Sequence, residues 1–428
     1  MIIPFSTMDE AMLHSDTKRY HCNVHAEVRA PGKLDAKRLR DAVYKAMQEH
    51  PLARARQAEH KPSDRNLHWE ITPQPSFDPL LIVEAGSDAE AIRCREQLLN
   101  LQPSLFDSPP FYIWLVRRTG GDSLILNFNH TVADGIGTQH FLRSVINHYA
   151  GVSNPQRVDP IEVRASDVTS SRKSKQGMRE QKEMMDFLRR NLNKAEIIAA
   201  DGDSDRRGYG CHQVIIDSEE FKSLQPKKHA DGTIHDLLLA AMHKTVSDWN
   251  SDHGAEAGLI RIQTPVNLRP EPWQNEVLGN YIGTFPTNST PAERGSADSL
   301  MAATCKQTLF AKNSNFGDVM YDSMQFQSKM PAFIKEKLMP VLLNSLNSTT
   351  ACVSNLGRAP TRLEFGPGKP ATEAWISPPA AMPMGVGLGA LGYNGSLFLT
   401  FRYANDLLGA TAAKRFSELY RESLHWLS

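Results

Sequence analysis

Leu124-Ile-Leu-Asn-Phe-Asn-His130-Thr-Val-Ala-Asp134-Gly135-Ile-Gly137 is the stretch on which the reading of this chain turns. An apolar, strand-like run ends on His130, a short glycine-containing turn follows, and the amphipathic segment GTQHFLRSVINHYAG then starts a helix. The end of a core strand holds a side chain firmly, and a turn presents it to a cleft. A neutral imidazole placed there accepts a proton from an attacking nucleophile near neutral pH. Asp134 is expected to return toward the strand end and fix the turn, with Gly135 supplying the backbone geometry that the turn demands. A structural histidine followed by an aspartate helix cap gives the same string, so the surroundings of the motif must decide between the two.

Upstream, YHCNVHAEVRA alternates Val24, Ala26 and Val28 with Asn23, His25 and Glu27, the pattern of a half-buried strand. Pro31-Gly32 breaks it, and from Asp35, as N-cap, Leu39, Ala42, Val43, Ala46 and Met47 follow helical spacing until Pro51. LHWEITP and FYIWLVRR read as further strands. Downstream, polar residues dominate from about 153 to 210, with SDVTSSRKSK as linker, MREQKEMMDFLRRNLNKAEIIAA as a helix and DGDSDRRGYG as a loop. The opening pattern then returns. CHQVIIDSEEF reads as a strand with a helical start, TIHDLLLAAMHKTVSDW as an amphipathic helix and RIQTPVNLR as a strand. Helices are expected near 296–311 and 331–346, the second bending or breaking at Pro340. Asn394-Gly395 between two apolar runs predicts a type I′ hairpin, and a closing helix runs from about Ala410 to Trp426. Two similar α/β halves follow from this order: residues 1–165 with His130, a linker and connecting helix over 166–210, and 211–428.

Composition narrows the function. The 428 residues carry 48 Lys plus Arg against 48 Asp plus Glu, which removes the electrostatic case for nucleic acid as a partner. The five cysteines are scattered, with no C-x-x-C pair, so neither a disulfide framework nor a structural zinc site is expected. No H-E-x-x-H or comparable spacing occurs, and no metal site is expected. Neither a Walker-type loop nor a strand-following G-x-G-x-x-G is present, against nucleotide hydrolysis and dinucleotide redox chemistry. No leader pattern opens the chain, and no run approaches the ~18 apolar residues of a spanning helix. A cytoplasmic protein without a transmembrane segment is the expectation.

The H-x-x-x-D-G string at His130–Gly135 resembles the core motif of the thioester-dependent acyltransferase superfamily. That superfamily takes in chloramphenicol acetyltransferases, plant acyltransferases, peptide-synthetase condensation domains and wax ester synthases. Further segments agree in order. Pro4-Phe5-Ser6-Thr7-Met8-Asp9 is similar to the P-L-S-x-x-D opening of wax ester synthases and related alcohol acyltransferases. Thr264-Pro265-Val266-Asn267-Leu268-Arg269 is similar to the T-P-V-x-x-R segment of condensation domains, and Leu278-Gly279-Asn280-Tyr281 to the G-N segment after it. Val353-Ser354-Asn355-Leu356-Gly357 resembles the S-N-x-x-G segment of the alcohol acyltransferases, one residue shorter. Where many relatives carry a first histidine, this chain has Asn129, and the D-F-G-W-G segment of the plant branch is missing.

The resemblance implies an α/β (α+β) fold of two chloramphenicol-acetyltransferase-like domains, mixed sheets flanked by helices, with a central tunnel and His130 at its middle. It implies His130 as general base, and Asp134 as a structural residue paired with Arg269. Asn129, Asn280, Ser354 and Asn355 are expected near substrate, with a turn or capping role equally open for the last three. No cofactor is expected to stay bound: acyl-CoA or an acyl-phosphopantetheine carrier would serve as co-substrate. The expected partners are a small alcohol or amine acceptor and, for a carried donor, an acyl carrier protein. The alternative is a non-catalytic, condensation-like protein that binds a thioester or a carrier.

Overall fold

The computed structural model describes residues 1–154, 189, 191, 193–202, 205–224, 232–255, 257–269, 277–314, 316, 324–325, 329–346, 349–359 and 362–428. Three sheets organise them. A small antiparallel sheet joins β1 (Ile2–Pro4), β4 (His68–Ile71) and β3 (Ala55–Gln57). A five-stranded mixed sheet has the order β12-β2-β7-β6-β5, from Glu373–Ser377, Asn23–Arg29, Ser123–Asn129, Phe111–Arg117 and Leu80–Glu84. Its edge strand β12 comes from the far end of the sequence and pairs antiparallel with β2, Ala374 opposite Val28 and Ile376 opposite Ala26. A six-stranded mixed sheet has the order β10-β9-β11-β13-β14-β8, from Ile282–Ser289, Ile260–Asn267, Ala351–Arg358, Val386–Tyr393, Ser396–Ala404 and Tyr209–Ile216.

Helix α1 (Thr7–Ser15) opens with a capping box between Ser6 and Asp9. Helix α2 (Ala36–Glu49) is capped by the Asp35 side chain and buries Leu39, Val43, Ala46 and Met47 against the five-stranded sheet. Helix α3 (Asp88–Leu99) covers the opposite face, and α4 (Gly135–Ala150) lies beside α2. In the second half, α5 (Ser218–Ser223) precedes α6 (Ile234–Asp252). That helix, with α7 (Ala297–Asn313) and the closing α9 (Ala410–Leu427), covers one face of the six-stranded sheet. Between α7 and α9 in the chain, α8 (Ala332–Leu346) runs unbroken across Pro340 rather than breaking there. The β13–β14 hairpin closes through Asn394 and Gly395, both at positive φ (48° and 83°), as a type I′ turn requires.

Two expectations are corrected here. Strand β2 is not half-buried: Asn23, His25 and Glu27 are sealed as fully as Val24, Ala26 and Val28. Asn23 and Glu27 find their partners in protein groups. The Glu27 carboxylate takes two hydrogen bonds from the buried Arg95 guanidinium on α3, at 2.5 and 3.0 Å, and the Asn23 amide donates to the carbonyls of Leu99 and Leu101. Apolar–polar alternation marks two faces, but it does not say whether the polar one meets water or a buried partner. The expected linker and most of the connecting helix fall outside the described residues. The tail of that helix, 194–200, is not helical. It is pinned to α6, where the Ala199 N–H donates to Asn250 and the Trp249 indole donates to the Ala199 carbonyl, both at 2.8 Å.

One feature of the second sheet positions the site. Strands β9 and β11 pair in parallel only through Ile262–Ala351 and Gln263–Cys352. Beyond these, β9 stays with β10 as far as Asn267, and β11 stays with β13 as far as Arg358. The sheet forks.

Candidate active site

Strand β7 ends at Asn129, and the turn that follows is held from every side. The His130 N–H donates to the Cys22 carbonyl at 3.0 Å, and the Asn280 side-chain amide donates to the carbonyls of His130 and Thr131 at 2.7 and 2.9 Å. Asn129 accepts from the Thr131 N–H at 3.0 Å and donates to the Pro103 carbonyl at 2.9 Å. Asn129, expected near substrate, does not line the cavity, and Asn280 takes a turn role: the NH₂ group of each donates to carbonyls that a sharp turn leaves outside the strand ladder.

Asp134 caps α4, accepting from the Gly137 N–H at 2.8 Å, and also accepts from the Tyr281 N–H at 2.9 Å. Two further bonds come from Arg269 at the end of β9, at 2.8 and 2.9 Å, in a fully buried bidentate ion pair. Four donors fill the roughly four lone-pair sites of a carboxylate, so none is left to orient the His130 ring. The same guanidinium reaches the Val277 and Gly279 carbonyls at 3.2 and 3.0 Å and lies over the Tyr281 ring. Arg269 thus ties the strand that leaves the fork to the motif turn.

Gly135 does not adopt positive φ, so its expected role in turn geometry is corrected. A Cβ there would lie 3.3–3.4 Å from the Leu356 methyl groups, at the wall of the cavity, so the residue is small for space. At Gly137 a Cβ would meet the Gly279 N and O at 3.0 and 3.1 Å, backbone that cannot easily give way.

A cavity of about 850 Å³ opens between the two large sheets, within the range of small-molecule sites. His130 lines it. The Nδ1 atom is sealed in protein, which leaves Nε2 as the nitrogen toward the cavity. Burial holds the imidazole below its ordinary value of 6.5, opposed by its own backbone carbonyl and by the Asp134 charge. The neutral ring, the form that can accept a proton, therefore prevails at pH 7. Ser354 and Asn355 on β11 also line the cavity. The Asn355 side chain accepts from the Gly357 N–H at 2.9 Å, while Ser354 makes no side-chain hydrogen bond among the described residues. Cavity residues that no motif flagged include Gln263 on β9 and His235 at the start of α6, and Thr264, the first residue of the T-P-V-x-x-R-like segment, lines the cavity beside them.

All five cysteines are free thiols. Cys22 and Cys352 touch the cavity, but burial pushes both thiols up to about 12, so neither is a ready nucleophile. Among the described residues no helix is long and apolar enough to cross a membrane.

Two mixed sheets flanked by helices, with a buried imidazole at the cavity between them, define a chloramphenicol-acetyltransferase-like architecture. Within that class the chain belongs to the condensation-domain family, an acyltransferase-type family whose model matches residues 10–349. It is 31% identical over 416 residues to an uncharacterised protein of Mycobacterium tuberculosis, with 94% of each chain covered. Over 166 residues it is 25% identical to nonribosomal peptide synthetase 4 of Gibberella zeae, covering 37% of this chain and 2% of that one. Solved structures of the same fold include the first condensation domain of the CDA synthetase (TM-score 0.69, 14% identity, 99% of this chain and 96% of that one). Another is the starter condensation domain of rhizomide synthetase in complex with C8-CoA (TM-score 0.67, 15% identity, 100% and 95%).

Proposed function

We propose that this protein moves an acyl group from a thioester donor, acyl-CoA or an acylated phosphopantetheine arm, onto a hydroxyl or amine acceptor, with His130 as general base. The observation that carries the reading is a neutral imidazole, carried on a turn that hydrogen bonds hold on both sides, lining a cavity of substrate size. Nε2 takes the proton from the acceptor as its oxygen or nitrogen attacks the thioester carbonyl. The resulting imidazolium returns that proton to the departing thiolate, and the tetrahedral intermediate collapses to ester or amide. A positioned base of this kind is worth about 10²–10⁴ in rate, and holding two substrates in line can supply roughly 7–11 kcal/mol more. The Ser354 hydroxyl, with no hydrogen-bond partner among the described residues, is the candidate donor to the developing oxyanion. Asp134 and Arg269 act on the turn and not on substrate. Asn129, in place of a first histidine, has a backbone-holding task and takes nothing from the base.

The test is mass-spectrometric detection of ester or amide product from a panel of acyl-CoAs and acyl-loaded carrier proteins with alcohol and amine acceptors. Transfer by the wild type is expected. Donor binding without transfer across the whole panel would favour a non-catalytic thioester-binding protein instead.

A further inference from the structure

The fork in the six-stranded sheet has a consequence for what the cavity holds. In a paired strand, successive side chains point to opposite faces, and one cavity touches only every second residue. Here Gln263, Thr264, Pro265, Val266 and Asn267 all line the same cavity. That happens because β11 parts from β9 after Cys352, so the cavity passes between the strands and occupies both sides of the sheet. The register separates the two sides. Gln263 is level with Cys352, which shares its β11 face with Ser354, on the side of His130. Thr264 is opposite Phe285 on β10, on the side covered by α6 and α7. Phe285 and Leu309 supply apolar wall to this rear chamber.

The rear chamber also has a polar end. His235 lines it, half-buried, with Nε2 3.5 Å from the Thr264 hydroxyl, and neither side chain has another hydrogen-bond partner among the described residues. The neighbouring Asp236 carboxylate is already taken by the Thr233 N–H (2.8 Å), the Thr233 hydroxyl (2.6 Å) and the Thr308 hydroxyl (2.5 Å), and offers little to a ligand. Lys312, one turn beyond Thr308, also lines the cavity and is exposed to solvent. Burial holds His235 below the ordinary imidazole value, against the pull of Asp236, so the ring is neutral and can both donate and accept. A wholly hydrocarbon ligand packed here would displace water from a neutral imidazole and a hydroxyl that have only one long bond between them, and would give them nothing in return.

We propose that His235 and Thr264 form a second binding subsite, behind the forked sheet, for a neutral hydrogen-bonding group, a hydroxyl or a carbonyl, carried on the acyl chain remote from its thioester. The inference rests on the reading of the cavity as an acyl-donor site, and it makes the preferred donor an oxygenated acyl chain rather than a plain saturated one.

The experiment measures binding and is independent of turnover. In the full-length His130→Ala protein, affinities are determined by calorimetry for saturated medium- and long-chain acyl-CoAs and for their hydroxylated counterparts. Wild-type transfer rates with the same donors are measured in parallel. One well-made neutral hydrogen bond predicts that the best hydroxylated chain binds about two- to tenfold tighter than its saturated match. His235→Leu, and separately the near-isosteric Thr264→Val, are expected to erase that preference, while His235→Gln, which keeps a donor and an acceptor, retains part of it. Thermal unfolding checks that each variant is folded. Equal affinity for the two chain types in His130→Ala, or a preference that survives both Leu and Val changes, overturns the subsite. Transfer by wild type without such a preference would sink this inference and leave the acyl-transfer reading standing. A preference without transfer would do the reverse.

Discussion

Replacing Asp134 by Asn removes one charge from a place where no water can take over. The carboxylate accepts four hydrogen bonds, two from Arg269 and one each from the Gly137 and Tyr281 N–H groups. The amide keeps one acceptor oxygen and turns an NH₂ group toward donors. Arg269 is then left charged and buried, held by the Val277 and Gly279 carbonyls and by Asn267 at 3.3 Å. Breaking one side of a buried pair costs about 3–5 kcal/mol. The carbonyls that remain argue for the lower end, so the expected loss is about 3 kcal/mol. Urea unfolding followed by tryptophan fluorescence at neutral pH measures it for Asp134→Asn, Arg269→Met and the double variant. The double variant should cost clearly less than the two singles added, with a coupling of at least about 2 kcal/mol, because an uncharged site no longer strands a charge. Additive singles of under about 1 kcal/mol each would refute the claim that this pair fixes the motif turn.

Three further outcomes follow from the geometry. Asn280→Ala should destabilise by about 1–3 kcal/mol in the same denaturation assay, since two buried carbonyls lose their donor; it should also lower the turnover rate by loosening His130, and an unchanged rate would contradict that link. Gly137→Ala, with its Cβ against the Gly279 backbone, should cost about 1–3 kcal/mol, measured as a shift in the urea midpoint. Stability should fall as pH drops below about 6.5. Burial lowers His25 and His243 to about 3 and His50 to about 4, so between those values and 6.5 the unfolded chain binds protons that the folded one refuses. Each group then removes up to about 1.4 kcal/mol per pH unit, and urea midpoints that stay flat from pH 7 to about pH 5 would contradict this.

Much of this architecture was legible in the sequence, and the parts that were not share a cause. Strands β6 and β7, helices α2 and α4 and the Asn394-Gly395 hairpin declare themselves through local patterns: an apolar run, a 3.6-residue stripe after a capping residue, a turn dipeptide that tolerates positive φ. Helix α3 does not, because its buried set includes Arg95, which reads as surface until Glu27 is seen across from it. The same hidden partner makes β2 look half-exposed. Strand β12 carries no sign that it will cross to the other sheet, a matter of topology and not of local propensity. At the site, His130, Asp134 and Arg269 were readable from their motifs. The posts of Asn129 and Asn280 on backbone carbonyls and N–H groups were not, since an amide beside a reactive histidine suits substrate and turn equally well. Nor does any string announce that β9 and β11 will part, which is why His235, and the place of Thr264 in the cavity, come to light only in three dimensions.

The central claim is that the Nε2 of His130 accepts the acceptor's proton. The most direct measurement is the steady-state transfer rate of His130→Ala beside wild type, with a donor and acceptor that the wild type turns over and with circular dichroism showing both proteins folded. The account predicts a fall of about 10²–10⁴ in rate at pH 7, with wild-type activity holding as pH drops to the ordinary imidazole range before it declines. A folded His130→Ala protein that transfers acyl groups within a few-fold of wild type would contradict it.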